Sequence, residues 1–427
     1  MKAAIIADDL TGANDSAASF AAAGLKTCVA FSDYASLPKD CDVAVADTES
    51  RDIGPANAAR AVRKAAEGLL KSRPQILFKK IDSTMRGSIG AELEAALKAS
   101  GRPFILMAPA LPASGRTTKN GCQLLNGERL EHTELARVPK SPVTTSHIPS
   151  ILAMTSGLRS VVISAEELQG LEGMIPGLVA NGADVVICDG TKDEHLEMAA
   201  MAGVAAGALL CGCAGLARQV SRLVCGSAPK AEAPEVPEKA SSVLVLSGSI
   251  SAVTRAQTRH LVEERNAALV RVDADLCVRH PAAAAGKAAI ELESVRRGRQ
   301  DGIFVVAGAY SEDDVEASRR AVSELGLTFE EAGERMARCM ALIASREAPS
   351  FDAFVFTGGD TACHACTEMG ATVLQTLGEI QGGVPACRIL SGICQGRLLA
   401  TKAGAFGNED ALSEAADFLM KQGKFHS

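Results

Sequence analysis

Apolar tracts of strand length recur along this chain, and many of them end in polar, glycine-bearing turns. The first sets the pattern: Ala3 to Ala7 is apolar, Asp8-Asp9-Leu10-Thr11-Gly12-Ala13-Asn14-Asp15 follows, and an Ala-rich stretch comes next. Strand, turn and helix in that order make the first β-α unit of an open parallel sheet. Further strand-like runs lie at Thr27 to Phe31, Val43 to Ala46, Ile76 to Phe78, Phe104 to Met107, Val161 to Ser164 and Val185 to Cys188. Helical patterns such as Pro55 to Lys71 and Ala91 to Ala99 fall between several of them, as crossover helices do.

The rhythm breaks at Cys225 to Ser242, where Pro229, Pro234 and Pro237 sit among Ala, Lys, Glu and Ser without apolar periodicity. That composition predicts an exposed linker. Alternation then restarts, with strands at Val243 to Leu246, Leu269 to Val272, Ile303 to Ala307, Ala353 to Phe356 and Leu398 to Ala400, and a helix over Glu330 to Ala344. The expected fold is therefore two α/β domains with largely parallel sheets, one over residues 1–228 and one over 240–427.

Composition narrows the partners. The chain has 427 residues, a net charge of -7, 47% hydrophobic residues, two Tyr and no Trp. A nucleic-acid surface needs a basic patch, so the balance points to small molecules. Asp8 and Asp9 interrupt the N-terminal apolar run before it reaches the length of a signal core, and a cytoplasmic protein is expected. Met198 to Ala217 carries no charge over membrane length, but its Ala and Gly content and the Cys211-Gly212-Cys213 break predict a buried helix followed by a short strand. No membrane association is expected; a homo-oligomer is left open. The thirteen Cys read as buried free thiols. Cys363-His364-Ala365-Cys366 has metal or redox spacing but lacks a second pair.

Chemistry concentrates at the strand ends. One aspartate after the first run could cap a helix, yet two adjacent carboxylates on extended chain point opposite ways, so at least one is free for function. A second cluster, Lys79-Lys80-Ile81-Asp82-Ser83-Thr84-Met85-Arg86-Gly87-Ser88, suits a small polyhydroxylated anion; Thr48-Glu49-Ser50-Arg51 ends the strand before it in similar style. Lys79 is expected to be solvated, and Arg51 to pair with a substrate carboxylate. In the C-terminal half, Ser247-Gly248-Ser249, Thr357-Gly358-Gly359-Asp360-Thr361 and Lys402-Ala403-Gly404-Ala405-Phe406-Gly407 could each present backbone N-H groups to phosphate. The P-loop, dinucleotide and protein-kinase signatures are absent. Asp360 beside phosphates would hold Mg²⁺ or act as a base, or else cap a helix.

Ile6 to Asp15, Lys79 to Gly90, Ala108 to Gly121, Cys211 to Ala217, Val245 to Ser251, Thr357 to Ala362 and Thr401 to Gly407, in order along the chain, resemble the four-carbon acid sugar kinases. The Asn14-Asp15 ending and the Lys79 to Gly87 tract look most like the D-threonate kinases, with D-erythronate kinases close behind. The resemblance implies an acid-sugar domain, an ATP domain and phosphoryl transfer across the cleft between them. It carries substrate contacts to Asp9, Arg51, Lys80, Asp82, Ser83 and Thr84, with Asp8 beside them. ATP contacts fall on Ser247, Gly248, Ser249, Gly358, Gly359, Asp360, Thr361 and Gly404. In the expected reaction, ATP and Mg²⁺ serve as cofactors, Lys402 holds the triphosphate, and Asp9 or Asp360 accepts the proton of the 4-hydroxyl. The alternatives from other classes are a non-catalytic acid-sugar sensor and a thiol protein built on Cys363 and Cys366.

Overall fold

The computed structural model describes residues 1–31, 34–137, 141–226, 240–404 and 407–421, and the chain divides into two compact units, Met1–Glu232 and Ala233–Ser427. Residues 227–239, most of the expected linker, lie outside the described residues, as do Ala405 and Phe406. Among the described residues no helix is long and apolar enough to cross a membrane.

The first unit is built on parallel strands β1 (Ala3–Ala7), β2 (Thr27–Ala30), β3 (Val43–Asp47), β4 (Ile76–Lys80) and β5 (Ile105–Ala108). A small antiparallel sheet follows, β6 (Arg116–Lys119), β7 (Cys122–Leu125) and β8 (Glu128–Arg129). The parallel sheet is completed by β9 (Ser160–Ile163), β10 (Val185–Cys188) and β11 (Leu209–Gly212), in the order β2-β3-β1-β4-β11-β5-β10-β9. Side chains alternate across it: Ile5, Val45, Phe78 and Leu210 meet α1 (Leu10–Ala22), α5 (Leu171–Ala180), α6 (Asp193–Ala205) and α7 (Ala214–Cys225) on one face. Ile6, Ala46, Leu77 and Cys211 meet α2 (Pro55–Leu70), α3 (Ile89–Ser100) and α4 (Ile148–Ala153) on the other. A sheet covered on both faces needs apolar residues at every position, which is why its strands read as continuous runs. The Met198 to Ala217 stretch is the end of α6, β11 and the start of α7; the helix is only half-buried where full burial was expected, with Met201 54% exposed.

The second unit places parallel strands β12 (Ser242–Ser247), β13 (Ala268–Arg271), β14 (Gly302–Ala307), β15 (Ala353–Thr357) and β18 (Leu398–Lys402) in the order β13-β14-β12-β15-β18. Two antiparallel strands, β16 (Val373–Gln381) and β17 (Val384–Ile389), extend it beyond β18. They were not anticipated, because polar Gln375, Thr376, Glu379 and Arg388 interrupt their apolar pattern. Helices α8 (Ala252–Glu264) and α14 (Ala411–Lys421) share one core cluster with the sheet. Helices α9 (Ala274–Arg279), α10 (Pro281–Gly298), α11 (Glu312–Leu325), α12 (Phe329–Glu347) and α13 (Gly359–Glu368) pack on one another, and α12 brings Met336 and Met340 against Gly308 at the end of β14.

Close backbone approach at the strand ends makes two glycines behave oppositely. A Cβ on Gly212 would lie 2.6 Å from the Ala108 carbonyl oxygen, whereas one on Gly173 in α5 meets nothing within 4 Å. Gly212→Ala is expected to cost about 1–3 kcal/mol in urea unfolding through overpacking. Gly173→Ala should gain roughly 0.5–1 kcal/mol by stiffening the unfolded chain.

Candidate active site

Parallel register brings the chemical residues of the first unit to one row. Ala7 pairs with Asp47 on one side and Lys80 on the other, Lys80 pairs with Gly212, and Gly212 with Ala108. The loop after β1 turns into α1 on one face; those after β3 and β4 lead to α2 and α3 on the other. Such a change of direction opens a crevice at the carboxyl ends of the strands, where open α/β sheets bind ligands.

Asp8, Asp9 and Arg51 meet there. The Arg51 guanidinium donates from Nε to Asp8 Oδ2 at 2.8 Å, from Nη2 to Asp8 Oδ1 at 3.0 Å, and from Nη1 to Asp9 Oδ2 at 2.5 Å. Asp9 Oδ1 accepts from the Gly12 amide at 2.8 Å, so the helix-cap role and the site role share one side chain. Burial opposes ionisation of both aspartates. For Asp8 the charges of Arg51 and Lys79 outweigh it and hold the carboxyl below its ordinary value. For Asp9, burial and the Asp8 charge win over Arg51, and its proton affinity is raised. The Arg51 guanidinium, 12% exposed, thus already has carboxylate partners within the protein.

The turn after β4 carries the next group. Asp82 takes a two-pronged contact from Arg86, Nε to Oδ2 at 2.7 Å and Nη2 to Oδ1 at 3.1 Å, and a hydrogen bond from the Thr84 hydroxyl. Despite burial, these donors and the Arg51 charge hold Asp82 well below the usual carboxylate range. Ser83 is held by its backbone: Gln123 of β7 donates from Nε2 to the Ser83 carbonyl at 2.9 Å and to that of Pro109 at 3.2 Å. Lys80 is buried on the α1 face; a Cβ on Gly12 would lie 2.7 Å from its Nζ and from Asp9 Oδ1. Its ammonium donates to the Ile81 carbonyl at 3.0 Å. The expectation of a solvated Lys79 is overturned. Its side chain is 0% exposed, with Nζ 2.7 Å from Glu92 Oε2 of α3.

In the second unit Ser247, Thr357 and Lys402 are register partners across β12, β15 and β18. Their turns converge: Cβ atoms built on Gly248, Gly358 and Gly404 would meet Thr361 Oγ1 at 2.1 Å, Thr361 Oγ1 at 3.3 Å, and Ser249 Oγ at 2.8 Å. Gly358 has φ +101°, which a side chain would strain. Gly359 opens α13, directing helix N-H groups outward from the same place. Asp360, in the first turn of α13, is exposed and caps nothing: the cap position is Gly358, without a side-chain hydrogen bond.

Lys402 ends β18 in the same row. Only 2% exposed, it donates from Nζ to the carbonyls of Ala403 at 2.9 Å and Gly404 at 3.1 Å, propping its own loop. Ser251 donates to the Gly404 carbonyl at 3.0 Å and Thr254 donates to it as well. Neither Cys363 nor Cys366 is in a disulfide, and burial pushes the Cys366 thiol up, away from reactivity.

Sequence reasoning missed Glu92 and Gln123. Glu92 falls on the apolar stripe Ile89, Leu93, Ala96 of α3, and a carboxylate there requires a buried cation. The Asn120-Gly121 and Asn126-Gly127 dipeptides, all four residues at positive φ, are the hairpin signals that frame Gln123.

A sugar-binding N-terminal domain matches residues 3–220 and a nucleotide-binding C-terminal domain matches residues 244–412, which defines a protein with one domain of each kind. A D-threonate kinase of Salmonella typhimurium is 30% identical over 98% of this chain and 98% of its own. A 3-oxo-tetronate kinase of Brucella melitensis is 31% identical over 99% and 97%, and a D-erythronate kinase of Heliobacterium modesticaldum 28% over 97% and 96%. The chain belongs to the four-carbon acid sugar kinase family and is an ATP-dependent kinase. A crystal structure from Salmonella typhimurium LT2 superposes with a TM-score of 0.79 at 25% identity, covering 97% of this chain and 98% of its own. One from Haemophilus influenzae, at 22% identity, shares the fold with a TM-score of 0.77 over 97% and 100%.

Burial lowers the Lys402 ammonium from 10.5 to about 8. Between those values the unfolded chain holds more protons at this residue than the folded one, so stability rises with pH across the window and the gain is complete above it. Denaturant titration from pH 7 to 11 should show that rise in the wild type; Lys402→Met should lack it.

Proposed function

We propose that the protein transfers the γ-phosphoryl group of ATP to the 4-hydroxyl of a four-carbon acid sugar, D-threonate first, with D-erythronate and 3-oxo-tetronate as neighbouring substrates. The observation that carries this reading is the gathering of Asp8, Asp9, Arg51, Lys80, Asp82 and Thr84 on one sheet edge, since cations, carboxylates and hydroxyls together match a small polyol with a carboxylate. The names of the relatives support the same substrates.

Lys80 is the leading ligand for the substrate carboxylate: Arg51 is engaged by Asp8 and Asp9, whereas among the described residues the Lys80 ammonium has one backbone acceptor for its three donors. Asp82 and Thr84 meet substrate hydroxyls, with Ser83 beside them. Asp9, its affinity for a proton raised and one oxygen pinned by Gly12, is placed to accept the proton of the attacking hydroxyl. In the second unit the amides around Ser247 to Ser249, Gly358 to Thr361 and Gly404 cradle the triphosphate, with Lys402 keeping the Gly404 loop in shape. Asp360 is an exposed oxygen donor beside those turns, unengaged among the described residues, and fits Mg²⁺, a hard cation. When bound, Mg²⁺ would neutralise charge on the triphosphate.

A panel of four-carbon acids assayed for ADP release tests the reading, and turnover of none would overturn it. Asp9→Asn should lower kcat by roughly 10²- to 10⁴-fold at any Mg²⁺ concentration, the usual cost of losing a general base. Asp360→Asn should be partly restored by raised Mg²⁺. Exchanged behaviour would swap the two assignments.

Carboxylate recognition has a separate test, kcat/KM for D-threonate against the four-carbon polyol lacking the carboxylate. Lys80→Met should lose on the order of 2–5 kcal/mol toward the acid and little toward the polyol. Arg51→Gln should lose on both, because it releases Asp8 and Asp9 from their shared cation. An acid-selective loss in Arg51→Gln instead would return the carboxylate to Arg51.

A further inference from the structure

Lys79 and Lys80 are adjacent on a strand, so their side chains leave opposite faces of the sheet. Lys80 goes to the α1 face. Lys79 goes to the α3 face and pairs with Glu92 with neither side chain in contact with solvent, at 0% and 2% exposure. The same ammonium donates to the Lys80 carbonyl at 2.8 Å. The two partners bracket the segment that carries Lys80, Asp82, Ser83, Thr84 and Arg86, one at the end of β4 and the other in the first turn of α3. Glu92 Oε1 is buried and, among the described residues, without a hydrogen-bond partner. Stability alone does not account for such a pair, since apolar residues of similar volume usually hold a core at least as well as a buried ion pair.

We propose that Lys79 and Glu92 are positioning residues for the acid sugar: their buried ion pair fastens both ends of the 80–91 segment and thereby sets where Lys80, Asp82 and Thr84 meet the substrate. Neither touches the substrate. The Lys79 charge also supports the ionised state of Asp8, which anchors Arg51. The proposal rests on the acid-sugar reading of this site.

The decisive variant is Lys79→Met with Glu92→Leu, which removes both charges and refills the volume, accompanied by Glu92→Gln and Lys79→Met singly. The single changes should lower the melting temperature, since each strands a buried group. The double variant should recover the melting temperature yet keep KM for D-threonate about ten- to a hundred-fold above wild type, the scale of an ångström-sized misplacement, with KM for ATP unchanged. Wild-type KM for the acid in the double variant would overturn the proposal, as would a rise of both KM values together. A readout without substrate is trypsin cleavage after Arg86, which should be faster in the double variant than in wild type; equal rates would also overturn it. Failure of the wild type on the whole acid panel would defeat the acid-sugar reading instead, and the trypsin comparison would still decide whether the pair holds the segment.

Discussion

Two adjacent carboxylates at the end of a buried strand would repel each other, and the Arg51 guanidinium is what lets them coexist. It grips Asp8 with two parallel hydrogen bonds and reaches Asp9 with a third donor. The grip separates their chemistry: Asp8 stays ionised as an anchor, while Asp9, capped onto α1 and crowded by Asp8, becomes the more basic of the two. It also ties the loop after β3 to the turn after β1, so the rest of this edge is assembled on a crosslink of fixed charge rather than on loop contacts.

How far the sequence could be read follows from the same geometry. Strands covered on both faces, such as Ala3–Ala7 and Val185–Cys188, are legible because every position must be apolar. Strands Val373–Gln381 and Val384–Ile389 escape notice because polar residues alternate irregularly within them. Among the site residues, Asp8, Asp9, Arg51 and the Lys80 to Thr84 tract announce themselves as charge and hydroxyl clusters at strand ends, and the three glycine turns by their spacing after apolar runs. Lys79 was misjudged for a physical reason. Charge next to charge suggests a solvated surface, but strand alternation sends one of the two lysines into each face, and only the partner on α3, distant in sequence, makes burial tolerable.

Lys402 illustrates the complementary limit. A lysine in a glycine-bearing turn after a strand invites a phosphate, and the sequence cannot show that carbonyls of Ala403 and Gly404 take up its donors. The turn lies close to its neighbour: a Cβ on Gly404 would come within 2.8 Å of Ser249 Oγ. Backbone shape, not the lysine charge, is what the three turns have in common.

In the proposed reading the acid-sugar groups follow β1, β3 and β4, and the phosphate turns follow β12, β15 and β18. Binding to a folded unit adds RT ln(1 + [L]/Kd) to that unit's stability and nothing to its unfolded chain. On the proposed reading, each ligand would protect the unit that holds it from unfolding and would add nothing directly to the other. The two halves of the chain would then register the two ligands separately.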